Sequence, residues 1–281
     1  MKGYQKYFAL IFVTCFIIIA YGVLIEPFLV DVRHVWIHND SLSKVLGRKS
    51  VVHISDLHIK SIGAREKNVL KLIEDLSPDL IFMTGDYVQW RGDYEPALDF
   101  LSKLKASIGV YAVMGDYDYS SSTRSCLFCH DPGTGVKTHR HSVRFLSNTT
   151  ERIRLPEGDI WVTGLSVGLE NYFFSKNSNP FPEGHLPAIV LSHEPQAFDL
   201  LNNNQDILML AGSTHGGQIP VPSALWRFIG YEKCFQYCQG LFEEGRKKMY
   251  VNRGIGTSHM PIRLLKRPEI TVLHFFSANE H

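Results

Sequence analysis

Apolar positions follow three rhythms along this chain. The first is an unbroken run. From Phe8 to Ile25 eighteen residues carry no charge, and they include Phe16-Ile-Ile-Ile19. A helix of that length just crosses the hydrocarbon core of a bilayer. A cleaved signal peptide has a similar outline, but its apolar region is shorter. The one small-x-small step here, Ala20-Tyr-Gly22, lies inside the run instead of after it. An uncleaved N-terminal anchor over residues 1–30 is therefore expected, with residues 31–281 as one domain. Lys2 and Lys6 precede the run and favour a cytoplasmic N-terminus with the domain on the other side, against the weaker pull of Arg33 and Lys44 on the far flank.

The second rhythm is short and apolar, with β-branched and aromatic residues between turn signals. It predicts strands at 50–55, 79–84, 110–114, 160–165, 188–192, 207–211, 249–252 and 270–275. The third has helical spacing. Val69, Leu70, Ile73 and Leu76 share a face over 66–76, and Pro78 stops that helix. Leu98, Leu101 and Leu104 do the same over 95–105. Strands alternating with helices make an α/β domain. A polar stretch rich in Ser, Gly, Cys and His, about 120–145, breaks the alternation and reads as an inserted loop. Net charge is +1 over 281 residues, which gives no footprint for nucleic acid.

The chemistry sits where predicted strands end. Asp56-Leu57-His58 follows the first and Gly85-Asp86 the second. Open α/β sheets place ligands at such ends, and mixed carboxylate and imidazole donors suit divalent metals. Further on come Gly115-Asp-Tyr-Asp118, Ser192-His-Glu-Pro195, Gly212-Ser-Thr-His-Gly-Gly-Gln218, Asn252-Arg-Gly-Ile-Gly256 and Pro261-Ile-Arg263. In this order the motifs resemble those of the calcineurin-like metallophosphoesterases, and more narrowly their membrane-anchored bacterial branch. The resemblance covers roughly residues 51–276. It implies a sandwich of two β-sheets flanked by helices, with two metals at the strand ends.

Carried over residue by residue, the resemblance implies a first metal on Asp56, His58, Asp86 and His215. The second would be shared by Asp86 with Asp116, His193 and Ser213. Two of these positions depart from the family: Asp116 replaces an Asn, and Ser213 replaces a His ligand. The second site is thus expected to bind more weakly, with Ser213 at most a weak contact. The ions expected are Mn²⁺, Fe²⁺ or Zn²⁺, and metal-activated water would attack phosphorus in line. Asp86, Tyr117 and His193 are the catalytic candidates. Tyr117 stands where the family has a His that assists the leaving group. A phenol is a poor proton donor at neutral pH, so a phosphoanhydride or activated diester suits the site better than an alkyl monoester. Arg253 and Arg263 are each candidates for a phosphate contact, with an ion pair as the other reading of each.

The cysteines leave three readings open. Cys126-x-x-Cys129-His130 matches the attachment pattern of a c-type haem. Together with Cys234-x-x-x-Cys238 it also permits a structural zinc site or disulfides. The expectation for the whole chain is metal-dependent hydrolysis of a phosphoester or phosphoanhydride at the bacterial inner membrane, with the domain outside the cytoplasm. Its substrate would be a small-molecule or lipid-linked phosphate. The family's hydrolysis of UDP-2,3-diacylglucosamine makes that lipid-linked nucleotide one candidate. The competing expectation is a degenerate metal-binding protein, with or without c-type haem, that hydrolyses little.

Overall fold

The computed structural model describes residues 2–90, 92–119, 128–129, 138–167, 188–221, 233–258 and 260–277. The chain opens with helix α1 (Lys2–Leu24), followed by a 3₁₀ turn at Glu26–Phe28. Residues Tyr4–Phe28 are long and apolar enough to cross a membrane, and almost none of that surface is covered by the rest of the molecule.

Two residues after the turn, strand β1 (Asp31–His38) enters the first sheet, and α2 (Asp40–Leu46) follows. Next come β2 (Val51–Ile54), α3 (Ala64–Leu76), β3 (Leu80–Thr84), α4 (Glu95–Lys103), β4 (Gly109–Val113) and β5 (Arg144–Phe145). β6 (Thr149–Leu155), β7 (Gly158–Gly164), β8 (Ala188–Leu191), β9 (Ile207–Ala211), α5 (Lys233–Gln236), β10 (Gly240–Glu244), β11 (Lys247–Val251) and β12 (Glu269–Phe276) complete the chain.

The strands form two six-stranded sheets, ordered β1-β12-β2-β3-β4-β5 and β10-β11-β9-β8-β7-β6. Both are mixed. β2, β3 and β4 run parallel, as do β7, β8, β9 and β11, while β12 is antiparallel to β2. Parallel neighbours need crossovers, which α3 and α4 supply. The inner faces of the sheets meet in a core that includes Val51, Phe82 and Val113 from one side and Ile160, Leu191 and Leu210 from the other. The outer face of the first sheet packs Ile54, Met83 and Ala112 against Val69, Ile73, Leu98 and Leu101 of α3 and α4. Covered on both faces, β2, β3, β8 and β9 are buried at every position and apolar except for His53 and Thr84.

Every predicted strand and both predicted helices lie within a few residues of an observed element. The sequence pattern does not predict β1, α2, β5, β6, α5 or β10. β6 and β10 are sheet edges, and their Glu and Arg residues mask the pattern while discouraging further pairing. In β1 Val35 and Ile37 are buried in the core and Val32 packs only partly buried against it. Most of the polar stretch at 120–145 lies outside the described residues, and Arg144–Phe145 at its end is a strand.

Phe82 is fully buried between the sheets. Phe82→Ala should cost about 3–5 kcal/mol through lost burial and a cavity. A urea titration in detergent should show a lower midpoint at an unchanged slope; a midpoint equal to wild type would contradict this packing.

Candidate metal centre

The parallel strands end side by side, and each delivers polar residues two to four positions later. β2 leads to Asp56 and His58, β3 to Asp86, β4 to Asp116, β8 to His193, and β9 to Ser213 and His215. The chain must reverse sharply to aim these side chains over the strand ends. Five of the nine non-glycine residues with left-handed backbone among the described residues are here: Asp56 (φ 49°), His58 (43°), Asp86 (57°), Ser213 (71°) and His215 (52°). Each such conformation costs on the order of 1 kcal/mol or more and persists only where surrounding contacts enforce it.

Two glycines make room. A Cβ on Gly115 would collide with the Asp86 carboxylate, and one on Gly212 with the Ser55 hydroxyl and the Asp56 carboxylate.

Asp56, His58 and His215 form one group whose ligand atoms all lie within 4.8 Å of one another, and Asp56, Asp86 and His193 form a second. All five residues are buried. His58 Nε2 faces His215 Nε2 at 3.1 Å, and lies 3.6 Å from Asp86 Oδ2. His215 Nε2 is 3.5 Å from Asp56 Oδ1, and His193 Nε2 is 3.4 Å from Asp86 Oδ2.

The second nitrogen of each of two rings is engaged as well. His193 Nδ1 donates to the Thr84 carbonyl, 2.7 Å away, and His215 Nδ1 lies 3.4 Å from the Arg263 guanidinium. Nε2 of each ring is left facing a carboxylate, Asp86 for His193 and Asp56 for His215. Asp56 accepts the Ser213 N–H on both oxygens, at 3.1 and 3.0 Å.

The charges show what is wanted at the centre. Burial raises Asp56 to about 6, and lowers His58 to about 4 and His215 well below the usual imidazole value. Burial opposes a charge on His193 too, yet the Asp86 carboxylate beside it, with Asp56 and Asp116, lifts it to about 10. Burial would likewise raise Asp86, but His193 and His58 keep it below the ordinary carboxylate value. Two buried carboxylates thus draw positive charge toward themselves. A divalent cation supplies that charge better than one proton, and five O and N donors pointing inward fit such an ion.

A family model for the calcineurin-like phosphoesterases matches residues 49–227. The chain belongs to this family. It is 28% identical over 278 residues to YkuE of Bacillus subtilis, an uncharacterized metallophosphoesterase, across 92% of this chain and 90% of that one. It is 29% identical over 227 residues to the phosphodiesterase YaeI of Escherichia coli, across 79% and 80%. It is also 28% identical over 273 residues to LpxG of Chlamydia trachomatis serovar D, named a UDP-2,3-diacylglucosamine pyrophosphatase, across 79% and 82%. This calcineurin-like phosphoesterase is accordingly a phosphoester hydrolase of a metal-dependent family.

Other sequence candidates of the phosphoesterase sit around this centre. Asp116 is exposed and outside both clusters, though its charge acts on His193. The Tyr117 ring stands edge-on to His58, with centroids 5.1 Å apart, and its backbone N–H donates to Asp86 Oδ1 at 3.1 Å. Arg253 takes the ion-pair reading, held by Glu269 and by Asp31 at 2.9 Å. Arg263 takes neither of its readings. It is fully buried, and its guanidinium donates to the carbonyls of Arg253, Gly254, Gly256 and Lys266 and lies 3.4 Å from His215 Nδ1.

Cys234 and Cys238 are joined in a disulfide, and Cys129 is also disulfide-bonded. A sulfur in a disulfide is unavailable for haem attachment or zinc. Cys126 and His130 lie outside the described residues.

One organising residue was quoted in the sequence motif but given no role. Asp118 is fully buried and accepts four backbone N–H groups: Asp86 at 2.7 Å and Gly115 at 2.9 Å on one oxygen, Tyr87 at 2.8 Å and Val88 at 3.3 Å on the other. Burial pushes it up to about 7. Every partner named here is a donor, however, so the geometry accommodates the ionised form. The signal was legible as Asp-x-Asp, a second carboxylate in the turn that supports the first. Asp118→Asn places an amide NH₂ against N–H donors and should cost about 1–3 kcal/mol. The variant should unfold at lower urea and retain less metal after gel filtration. Wild-type stability and metal content would show that Asp118 does not hold the Asp86 turn.

Proposed function

We propose that this protein is a membrane-anchored two-metal phosphodiesterase or pyrophosphatase acting on phosphate carried by a lipid. The observation that carries the reading is the convergence of Asp56, His58, Asp86, His193 and His215 in two overlapping ligand groups. In this reading residues 1–30 anchor and residues 31–281 form the hydrolase domain. Asp56, His58, Asp86 and His215 hold the first ion. Asp86, Asp116 and His193 hold the second, with Ser213 where a fourth ligand would stand. Ions such as Mn²⁺, Fe²⁺ or Zn²⁺, when bound, lower the pKa of water and polarise a phosphoryl oxygen.

The chain's own residues set the rest. Asp86 lies between His58 and His193, the place of a bridging ligand. Tyr117 at the rim can donate a hydrogen bond to a departing oxygen but is a poor proton donor at neutral pH, which favours leaving groups that depart as stable anions.

The apolar helix supports an anchor in the bacterial inner membrane. A disulfide at Cys234–Cys238 supports placement of the domain outside the cytoplasm. The LpxG relatives make UDP-2,3-diacylglucosamine a candidate substrate. The disulfide and the leading lysines weigh against it, because that nucleotide lipid is cytoplasmic. A lipid-linked phosphate is the class that agrees with both the site and the anchor.

Asp86→Ala removes the residue common to both ion sites. It should reduce turnover of bis-p-nitrophenyl phosphate with Mn²⁺ to background and lower bound metal. Wild-type metal content and turnover would end the assignment.

The role of Tyr117 is read from a leaving-group series. The wild type should lose kcat/KM steeply from p-nitrophenyl and nucleotide anhydrides to alkyl phosphates. Tyr117→His should flatten the slope, improving alkyl substrates by roughly 10²-fold. Equal slopes for the two proteins would remove the preference for an anhydride.

A further inference from the structure

The anchor does not dangle from the domain. β1 pairs in parallel with β12, Asp31 opposite Glu269, and β12 pairs antiparallel with β2, Thr271 opposite His53. Continuing that register, Glu269 falls beside Ser55, the residue before Asp56. The chain therefore leaves the apolar helix and enters the sheet at its metal-bearing end, about 10 Å, or two strand spacings, from Asp56.

Hydrogen bonds fix this junction. Arg263 N–H donates to the Gly22 carbonyl near the end of α1 at 2.9 Å, and Lys266 N–H to the buried Glu26 carboxylate at 2.5 Å. A Cβ on Gly22 would lie 2.9 Å from the Arg263 carbonyl. The same loop reaches the centre. Leu264 N–H donates to the carbonyl of Gln218, which ends the His215 turn, and Arg263 holds the Gly256 carbonyl while Gly256 N–H donates to the Asp56 carbonyl.

The surface around this junction is apolar and open. Leu24, Ile25 and Phe28 at the helix exit are exposed, and so are Met260 and Leu265 on the loop docked beside Gly22. Leu265 is 73% exposed and held at φ 55°, a left-handed backbone that a leucine rarely adopts. Lys266 and Arg267 follow it in sequence, as cations at headgroup depth would. A loop that docks one turn inside the end of a membrane-crossing helix, with its large apolar side chains turned outward, meets lipid and not water.

We infer that the metal-bearing end of the domain is seated in the bilayer interface on Phe28, Met260 and Leu265, a patch continuous with the anchor, so that the site takes phosphates of membrane lipids at headgroup depth. This rests on the reading that α1 crosses the membrane.

The test uses the full chain in vesicles of phosphatidylethanolamine and phosphatidylglycerol that contain a lipid with a nitroxide near the top of its acyl chain. Cys15, the free cysteine of the span, is changed to Ser, and bimane is attached at Leu265→Cys or at Glu157→Cys. Glu157 pairs with Lys49 ahead of β2, at the opposite end of the sheet. The protein without an added cysteine gives the background.

Bimane at 265 should be quenched severalfold more than at 157. Equal, weak quenching at both sites, in protein that resists carbonate extraction, would overturn the seating while leaving the anchor in place. Release of the chain by carbonate would overturn the anchor and the seating with it.

Discussion

Two buried carboxylates that need a cation constrain most of this molecule. Asp56 and Asp86 sit at the ends of adjacent parallel strands with almost no access to water. An uncompensated charge there would cost several kcal/mol, so the neighbouring groups are arranged around them. Three imidazoles approach with their Nε2 atoms, and the backbone is bent into left-handed conformations to bring them in. A sheet core buried on both faces is what can enforce such strain, because the strands leading to each turn cannot shift to relieve it.

The turns themselves are held by buried polar groups that belong to neither ligand group. Asp118 gathers the N–H groups of the Asp86 and Gly115 turns. Tyr87 takes the Gly85 N–H and donates to the Val113 carbonyl, tying the end of β3 to β4. Arg263 does the converse for the last loop, collecting the carbonyls of 253, 254, 256 and 266 with one guanidinium. Burial lowers Arg263 to about 9, which still leaves it charged at neutral pH. Cation and anion thus work as opposite clamps, one for acceptors and one for donors. In a low-dielectric setting each is worth more than the same bonds in water.

This division explains what could be read from the chain. Asp56, His58, Asp86, His193 and His215 were legible because a strand pattern announces each and its motif is local. The buried strands were legible because both of their faces are covered, so their apolar runs are continuous. β6, with Thr149-Thr-Glu-Arg-Ile-Arg-Leu155, was not, since an edge strand with one covered face carries charges on the other. Nor was the burial of Arg263. Its partners are backbone carbonyls, which leave no trace in sequence. The anchor's length was plain, but its docking at Gly22 depends on a contact 241 residues away in the chain, to Arg263.

The departures at Asp116 and Ser213 read differently once the backbone is considered. Ser213 contributes through its N–H, which meets both oxygens of Asp56, and that contact survives any side chain able to adopt φ 71°. Loss of a histidine there removes one nitrogen donor without disturbing the first ion's carboxylate. Asp116 in place of an amide adds a negative charge that His193 already feels. In the proposed second site the resemblance thus implies one nitrogen donor fewer and one carboxylate more, which shifts the preference toward oxygen-seeking ions such as Mn²⁺. A site that had simply decayed would lose charge along with ligands, whereas the exchange at Asp116 would add a negative charge that reaches His193.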